Sequence, residues 1–256
     1  MGSLAPRALK KRVASAWQDT DQWRGVQSEI YKFALPMRNL YDQNGPSGQT
    51  KGDDKMAGVY DSTAITSTVA FANRIQADLM PPFSNWVELT PGPFVPDKMK
   101  HEVEAQLQDA ARKGFALRHA SNFDLQVNEF LLELAAGTGA MLMHEDVSRD
   151  KPVRFETVPI ATVAFDEAPD GGVDGKFRKY ELAARNVERT WLDFGKVDGH
   201  QVELPAELSA KLNDPAKGEE KVRFDECTYW DSEAEKWRYE LLYETSDGGS
   251  SKESLC

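Results

Sequence analysis

The sequence predicts an α+β fold, in which N-terminal α-helices are followed by a β-rich, mainly antiparallel region with short helices. Apolar residues recur at helical spacing from residue 7 to about residue 136. From residue 137 onward, short alternating apolar runs are separated by Gly-containing turns, which is typical of antiparallel strands. Because the two patterns follow one another instead of alternating, they favour segregated helices and strands over βαβ units. We expect a helical part at 1–136, a β-rich part at 137–245 and a flexible tail at 246–256.

The first helical pattern covers residues 7–35 and ends at Pro36, which cannot continue a helix. The sequence DTD at 19–21 favours an N-cap and predicts a break into two helices. Residues 38–55 contain Asn-Gly, Gly-Pro and Ser-Gly steps, so this stretch is predicted to form a loop.

The next helix is predicted at 61–80, and its sharp end is the most distinctive local feature. Asp61 or Ser62 caps its start, and Pro81 with Pro82 stops it. We expect this helix to be largely buried, with the ring of Trp86 packed nearby over its apolar stripe. The sequence NWVELT that contains this tryptophan alternates like a short strand.

Two further helices are predicted, at about 97–119 and at about 121–136. Leu125 and Leu132 lie off the main apolar face of the second helix, which predicts burial on two sides. Glycines at 137 and 139 then mark a turn into the β-rich part. The predicted strands are VRFETVP, ATVAFDE, GKFRKYELAA and the two arms of a hairpin in EKVRFDECTYWDSEAEKWRYELLYE, and the predicted short helices are NVERTWLDF and PAELSAKLND.

Composition limits the possible classes of function. No run of about 18 apolar residues occurs, so no membrane-spanning helix is predicted. The net charge of −11 opposes tight binding of duplex DNA by the chain as a whole, because such binding relies on Lys and Arg. Lys10, Lys11 and Arg12 form a local basic cluster that is an exception to this balance. The two cysteines, Cys227 and Cys256, are too few for a disulfide framework and favour a reducing compartment.

The residue types that carry catalysis form one weak candidate cluster. His144, Glu145 and Asp146 are the densest polar group, and a hydrolase that uses them needs partners supplied by the fold. The sequences GTG at 137–139 and GG at 171–172 match no phosphate-binding loop. Cys227 lies within a strand pattern and is interpreted as a small buried hydrophobic residue. We therefore expect no catalytic residue, no cofactor and no metal.

Three segments between residues 60 and 186 carry a resemblance to a known family. They are YDSTAITSTVAFANRIQADLMPPFSNWVELTPG, FDLQVNEFLLELAAGTGAMLMHED and FETVPIATVAFDEAPDGGVDGKFRKYELAARNV. In their order and motifs they resemble the portal, or head-to-tail connector, proteins of short-tailed tailed bacteriophages. The matching motifs are a Pro-Pro helix end before a Trp-containing strand, a Gly-Thr-Gly turn, and a Pro-Ile step that leads through an Asp-Gly turn to an Arg-Lys strand. The residues of this structural signature are Leu79, Met80, Pro81, Pro82, Trp86, Gly137, Thr138, Gly139, Pro159, Asp170, Gly171 and Arg178.

The resemblance implies a structural virion protein without catalytic residues or cofactors. It implies a ring of identical subunits, a dodecamer in the family, through which DNA is packaged and ejected without being tightly bound. The implied partners are other copies of the chain, the terminase, capsid and scaffold proteins and tail adaptor proteins, with no membrane. The implied location is the portal vertex of the virion, and the host cytoplasm during assembly. Because family members are longer and continue into stem helices, a clip and a crown, the resemblance covers their N-terminal, wing-like part.

Two alternatives stay open beside the portal interpretation. One is another phage structural or adaptor protein with a stand-alone α+β domain, and the other is the hydrolase that uses residues 144–146. A cleft with converging histidine and carboxylate groups would favour the enzyme. Large exposed apolar surfaces would favour an assembly protein.

Overall fold

The computed structural model describes residues 6–40, 55–56, 58–82, 84–145, 153–187, 196–197, 200–201, 206–214, 218–232 and 234–243. Contacts within the chain divide it into two units. The helical unit is Val26–Ala161, and the sheet unit is Met1–Gly25 together with Thr162–Cys256. The predicted boundary at 136/137 separates residues by type of secondary structure, whereas this division separates them by contacts. The three predicted parts therefore stay a prediction.

Helix α1 runs without interruption over Pro6–Ala34. The break predicted at 19–21 is therefore wrong. Within this stretch Thr20 donates its hydroxyl to the carbonyl of Ala16 at 2.8 Å, a bond that a threonine makes inside a helix. The helix ends before Pro36, which opens a short 3₁₀ turn at Pro36–Arg38. Residues 41–54 of the predicted loop lie outside the described residues.

Three more helices belong to the helical unit: α2 at Thr63–Leu79, α3 at Asp97–Ala120 and α4 at Phe123–Leu134. Ser62, one of the two predicted caps, is the N-cap residue of α2. Oδ1 of Asp61, one residue earlier, accepts bonds from the Thr63 backbone N–H at 2.8 Å and from the Thr63 hydroxyl at 2.7 Å. These bonds hold the pKa of Asp61 below its usual range. The core of the unit lies between α2 and α4 and contains Ala72, Val127 and Leu131.

Two antiparallel strands, β1 at Ala140–Glu145 and β2 at Val153–Val158, form a small sheet in the same unit. The outer edge of β2 is bonded to the start of α4. The side chain of Asn122 makes two bonds of 2.8 Å with the backbone of Phe155, and Gln126 accepts a bond of 2.6 Å from the backbone N–H of Thr157. Strand β2 is therefore held on both sides, by β1 and by α4.

The sheet unit contains the remaining strands, namely β3 at Val163–Glu167, β4 at Val173–Ala183, β5 at Lys196–Val197, β6 at His200–Gln201, β7 at Lys221–Asp231 and β8 at Lys236–Tyr243. A short helix, α5, lies at Ala206–Leu212. Four of the strands form one antiparallel sheet in the order β3-β4-β7-β8, while β5 pairs with β6.

Alternation along the strands gives the four-stranded sheet two apolar faces. Helix α1 covers one face, where the buried residues are Leu9, Val13, Ala16, Trp17, Ala164, Phe177, Cys227, Tyr229 and Leu242. On the other face the buried residues are Ala184, Val187, Leu208, Val222, Phe224, Leu241 and Tyr243. The first turns of the chain thus pack against strands that follow more than 150 residues later, as the Arg12–Asp166 pair also shows.

Cys227 lies in β7 with no exposed surface, which confirms its interpretation as a small buried residue. Burial raises the pKa of its thiol to about 12, and the neighbouring carboxylates of Glu240 and Glu226 add to the rise. The sulfur is therefore a protonated thiol at neutral pH.

The order of helices followed by antiparallel strands confirms the predicted α+β fold class. The strands predicted in VRFETVP, ATVAFDE and GKFRKYELAA and the final hairpin all occur. No helix in the described part of the chain combines the length and the apolar character needed to cross a membrane. The tail at 246–256 and residues 188–194 of the predicted helix NVERTWLDF lie outside the described residues.

Candidate functional site

The signature residues are distributed over both units and do not form one pocket. Asp170, Gly171 and Arg178 belong to the sheet unit, and the others belong to the helical unit. The helical unit therefore holds most of the features that carried the resemblance, and its surface is the candidate functional site.

The proline step ends α2 at the predicted place. The backbone N–H of Met80 donates to the carbonyl of Gln76 at 3.0 Å, and Pro81 has no N–H to continue the series. Met80 packs against the core between α2 and α4, whereas Leu79 and Pro82 are exposed. The step thus fixes where the helix stops and in which direction the chain leaves it.

Trp86 lies in an aromatic box around the guanidinium of Arg118. Its ring centroid is 5.6 Å from that of Phe115, with the rings nearly perpendicular, and 6.4 Å from that of Phe123, with the rings stacked. The guanidinium carbon of Arg118 lies 5.3–5.6 Å from all three ring centroids, which is within the range of cation–π attraction. The aromatic partners of Trp86 among the described residues are thus on α3 and α4, and its packing over the α2 stripe stays a prediction.

Arg118 is nearly buried, with 8% of its surface exposed. Its Nη2 lies 3.2 Å from Nδ1 of His119, and its Nη1 lies 3.8 Å from Oδ1 of Asp124, which is too long for a hydrogen bond. Its Nε and Nη1 make no hydrogen bond within the described part of the chain. Because a buried charge with few hydrogen bonds is costly, the three aromatic rings and the nearby carboxylate provide its main compensation.

Residues 85–90 follow the proline step and have no regular secondary structure, so the strand predicted at NWVELT is wrong for the single chain. Their backbone N–H and C=O groups make no hydrogen bond to the described residues. Val87 and Leu89 are exposed on either side of Glu88. The alternation that predicted a strand is present, but no strand among the described residues pairs with this segment.

The Gly-Thr-Gly turn joins α4 to β1. Gly137 has a φ of +124°, a conformation that favours glycine, and its N–H donates to the carbonyl of Leu134 at 2.9 Å. A Cβ atom on Gly139 would lie 2.6 Å from the ring of Phe130, so a larger residue would force that ring to move. Thr138 between them is exposed. Both glycines are therefore explained by the backbone and by packing, without a ligand.

A buried carboxylate ties together separate segments of the helical unit. Glu133 has no exposed surface and accepts hydrogen bonds from the Tyr31 hydroxyl, from Arg38 Nε at 2.9 Å and from the Ile160 backbone N–H at 3.3 Å. The signature residue Pro159 directly precedes the last of these donors. The network joins the end of α1, the 3₁₀ turn, α4 and the segment that follows β2.

In the sheet unit, Asp170 and Gly171 form the turn between β3 and β4. Oδ1 of Asp170 accepts a bond of 2.9 Å from the backbone N–H of Gly172, which is the local bond that favours aspartate in turns. Gly171 has a φ of +82°. Arg178 lies on β4, with Nη1 3.6 Å from Oε2 of Glu226 on β7. Asp170 and Gly171 thus form the turn that joins β3 to β4, and Arg178 lies beside a carboxylate of the adjacent strand β7.

Arg12, which belongs to the basic cluster at 10–12, is engaged in the fold. Its Nε pairs with the carboxylate of Asp166, its Nη1 donates to the carbonyl of Trp230 at 3.2 Å, and its Nη2 donates to the carbonyl of Asp174 at 3.3 Å. One guanidinium therefore holds α1 to β3, β4 and β7. The cluster is a weaker candidate for DNA binding than its sequence suggests, because one of its three charges is already used.

Of the candidate catalytic residues 144–146, His144 forms a pair with a residue of the neighbouring strand. Nε2 of His144 lies 3.0 Å from Oε2 of Glu156 on the neighbouring strand, and Glu145 is exposed. Asp146 lies outside the described residues. Within the described residues, no group of three or more His, Cys, Asp or Glu side chains is arranged to hold a metal ion. Pairs of this kind are common on sheet surfaces, and this one adds no observation in favour of the hydrolase hypothesis.

The helical unit exposes many large apolar side chains. Only Thr68 and Ala72 of α2 are buried, so the expectation of a largely buried helix at 61–80 is wrong for the chain on its own. Leu125 was expected to be buried and is 74% exposed. The other exposed apolar residues include Val26, Phe33, Met37, Tyr60, Val69, Phe71, Leu79, Val87, Leu89, Phe94, Met99, Leu117 and Met143. We define these exposed residues together as the apolar surface of the helical unit.

Arg118 and Glu133 are not predicted from the sequence. Arg118 lies in the last turn of α3, where a basic residue is ordinarily explained by a favourable interaction with the helix dipole at the surface. Glu133 lies between Leu132 and Leu134 on a helix that was expected to be buried on two sides. An acidic residue within such a run is the signal that points to a buried, hydrogen-bonded carboxylate.

Residues 7–250 of the chain match the model of a protein family described as bacteriophage head to tail connecting protein. The match includes all twelve signature residues and extends into both units. A search of curated proteins found no match.

Proposed function

The chain belongs to the family of bacteriophage head to tail connecting proteins, and from this premise we propose that it forms the ring through which phage DNA is packaged and ejected. A structural role in connecting the phage head to the tail follows from the family itself. The proposal adds a homo-oligomeric ring, dodecameric as in the family that the sequence resembles. It further adds contacts with the terminase, with capsid and scaffold proteins and with tail adaptors, and assembly in the host cytoplasm.

The apolar surface of the helical unit supports the proposal of a ring. Each subunit of a ring buries two different faces against its two neighbours, so a single subunit exposes apolar side chains that the assembly covers. The exposed residues on α2, α3 and α4 fit this expectation. We further propose that the twelve signature residues have an architectural role, because they lie at the end of α2, in the aromatic box, at turns, at the step after β2 and on β4.

The charge of the chain is consistent with DNA as a passing substrate. A net charge of −11 keeps the average interaction with phosphate groups repulsive. A channel that DNA must slide through benefits from weak contacts, since tightly held phosphates would slow its movement.

We expect the purified chain to assemble into particles larger than one subunit. Twelve copies of the 28.6 kDa chain give a ring of about 340 kDa. Leu125→Glu, which places a charge in the apolar surface, should lower the assembled fraction, whereas Gln108→Glu at an exposed polar position of α3 should not. Mass photometry and sedimentation velocity measure these fractions directly. A chain that stays at 28.6 kDa at every concentration would contradict the ring.

We expect weak or no binding of duplex DNA, with a dissociation constant above about 1 µM at about 150 mM salt. The physical reason is the acidic excess, which opposes the release of counterions from DNA. A gel-shift titration measures the binding. Arg7→Gln with Lys11→Gln is the suitable neutralising variant, because both residues are exposed while Arg12 is needed for the fold. Sub-micromolar binding by the natural chain that this variant loses would mean that the N-terminal residues form a DNA-binding arm.

A further inference from the structure

The outer edge of β1 pairs with no other strand in the described part of the chain. The backbone groups of Phe155 and Thr157 in β2 point away from β1, because they bond to the start of α4. Groups along an antiparallel strand alternate in direction, so the even-numbered residues of β1 face β2. The outward N–H and C=O groups therefore belong to Met141, Met143 and Glu145, and they make no hydrogen bond to described residues.

This edge has the properties of a site for another strand. A free edge presents a row of unsatisfied donors and acceptors, which proteins ordinarily cover, charge or pair. Met143 at the middle of this edge is 68% exposed, and of the three outward residues Glu145 alone carries a charge, at the end of the strand. A sheet of two strands is also small for independent stability, and a third strand would complete it.

Residues 85–90 likewise lack backbone hydrogen bonds to the described residues. They alternate like a strand, and the stretch has the same length as the six-residue strand β1. The segment is held at Trp86 by the aromatic box around Arg118, so it is partly ordered before any partner binds. Ordering in advance lowers the entropy cost of adding it to a sheet.

The segment and the free edge lie on different sides of the small sheet. Trp86 stacks on Phe123, whose ring lies 5.0 Å from that of Phe155 in β2, and the start of α4 covers the β2 edge. The segment therefore stands on the β2 side, whereas the free edge belongs to β1. Two complementary surfaces at different places on one subunit produce a head-to-tail contact, which closes into a ring when the rotation permits.

We propose that residues 85–90 of one copy add as a strand to the outer edge of β1 in a neighbouring copy, forming a three-stranded sheet between subunits. The partner is a second copy of this chain, because the chain supplies both a segment and an edge that pair with no other described residue. This inference rests on the proposed ring and assigns one of its contacts. Backbone hydrogen bonds provide the pairing, as in other cases of strand addition.

A proline substitution tests the backbone pairing directly. Met143→Pro removes one outward N–H, and proline is tolerated on strand edges because the bond to β2 is not affected. Met143→Thr is the matched control, since it loses the exposed apolar side chain but keeps the N–H and the strand preference. We expect the assembled fraction measured by mass photometry to fall about tenfold for Met143→Pro and to change less than about twofold for Met143→Thr. Far-UV circular dichroism and the melting temperature of the unassembled subunit should be the same for both variants.

A photo-crosslink tests which segments meet. Leu89→p-benzoylphenylalanine places the reactive group in the segment, and the same group at Val69 of α2 is the control at another exposed apolar position. Assembly from a mixture of ¹⁵N-labelled and unlabelled chains shows whether a crosslink joins two copies. Mass spectrometry should find crosslinks from position 89 to peptides that contain residues 140–145 of another copy, and none from position 69 to those peptides.

The outcomes separate this inference from the ring itself. If the natural chain assembles but Met143→Pro assembles equally well, or if position 89 crosslinks elsewhere, the strand addition is wrong and the ring stands. If position 89 crosslinks to position 89 of another copy, the contact is symmetric, and the head-to-tail pairing is wrong. If the natural chain does not assemble at all, the ring and this contact are both wrong.

Discussion

Replacing Glu133 by alanine is expected to lower the free energy of unfolding by about 3 kcal/mol, near the lower end of the range for breaking a buried ion pair. The substitution removes a fully buried carboxylate and leaves the guanidinium of Arg38, the hydroxyl of Tyr31 and the backbone N–H of Ile160 without their acceptor. Unpaired buried donors are costly because water cannot replace the lost bond. The side chain of Arg38 is 28% exposed, so water compensates part of the loss at that group.

Glu129→Ala is the matched control, because Glu129 pairs with the same arginine. Its Oε2 lies 3.7 Å from Nη1 of Arg38, and its side chain is 47% exposed. Exposed pairs of this kind contribute at most about 1 kcal/mol, so we expect a correspondingly small effect. Urea denaturation followed by circular dichroism gives both values, and hydrogen exchange should locate the Glu133→Ala effect in α4 and around residues 153–161. Similar small losses in the two variants would show that the buried network contributes little.

Arg12→Ala is expected to cost about 2–3 kcal/mol, because one guanidinium makes a charge-assisted bond to Asp166 and donates to two backbone carbonyls, those of Trp230 and Asp174. The substitution leaves all three acceptors, at the junction of α1 with the four-stranded sheet, without the hydrogen bonds that Arg12 donates. Lys11→Ala, at the exposed neighbouring position, should change the free energy of unfolding by less than about 0.5 kcal/mol.

Arg12→Lys distinguishes the geometry of the guanidinium from its charge. A lysine ammonium is a point charge and does not reproduce the planar fork that reaches three acceptors, so we expect it to recover less than half of the lost stability. Urea denaturation measures the three variants, and hydrogen exchange should increase in β3, β4 and β7. Full recovery by lysine would mean that the net charge near Asp166, and not the set of directed bonds, stabilises this junction.

Much of the fold is predictable from the sequence because local rules decide it. The proline step ends α2, Ser62 begins it, and alternation predicts the strands of the sheet unit. The predicted break at 19–21 failed because an N-cap preference is weak, whereas α1 is held on a sheet face by buried residues before this point, including Trp17. Tertiary packing overrode the local signal.

The remaining errors share one physical property. Residues 85–90, Leu125 and most of α2 were expected to be paired or buried, and in the single chain they are exposed. Apolar spacing indicates which residues pack against a partner, but it does not indicate whether that partner belongs to the same chain. The proposed assembly would supply the missing partners. The mispredicted residues are therefore the positions to examine for contacts between subunits, as the experiments on the β1 edge do.

The charged contacts inside each unit were harder to predict, because their partners are far apart in the sequence. Glu133 contacts Tyr31 across 102 positions, and Arg12 contacts Asp166 across 154. Neither pairing has a spacing rule, and Arg118 has the sequence context of an ordinary surface arginine. Only the three-dimensional arrangement shows that these charges lie in places where their partners are necessary.

The buried thiol in β7 has a consequence for the particle after it leaves the cell. With a pKa of about 12, Cys227 is present as the reactive thiolate in only about one molecule in 10⁵ at pH 7. Oxidation to sulfenic acid, disulfide exchange and alkylation all proceed through an accessible thiolate. In the oxygenated medium that surrounds a virion, this sulfur would therefore be slow to react, and the centre of the sheet would need no reductant to stay intact.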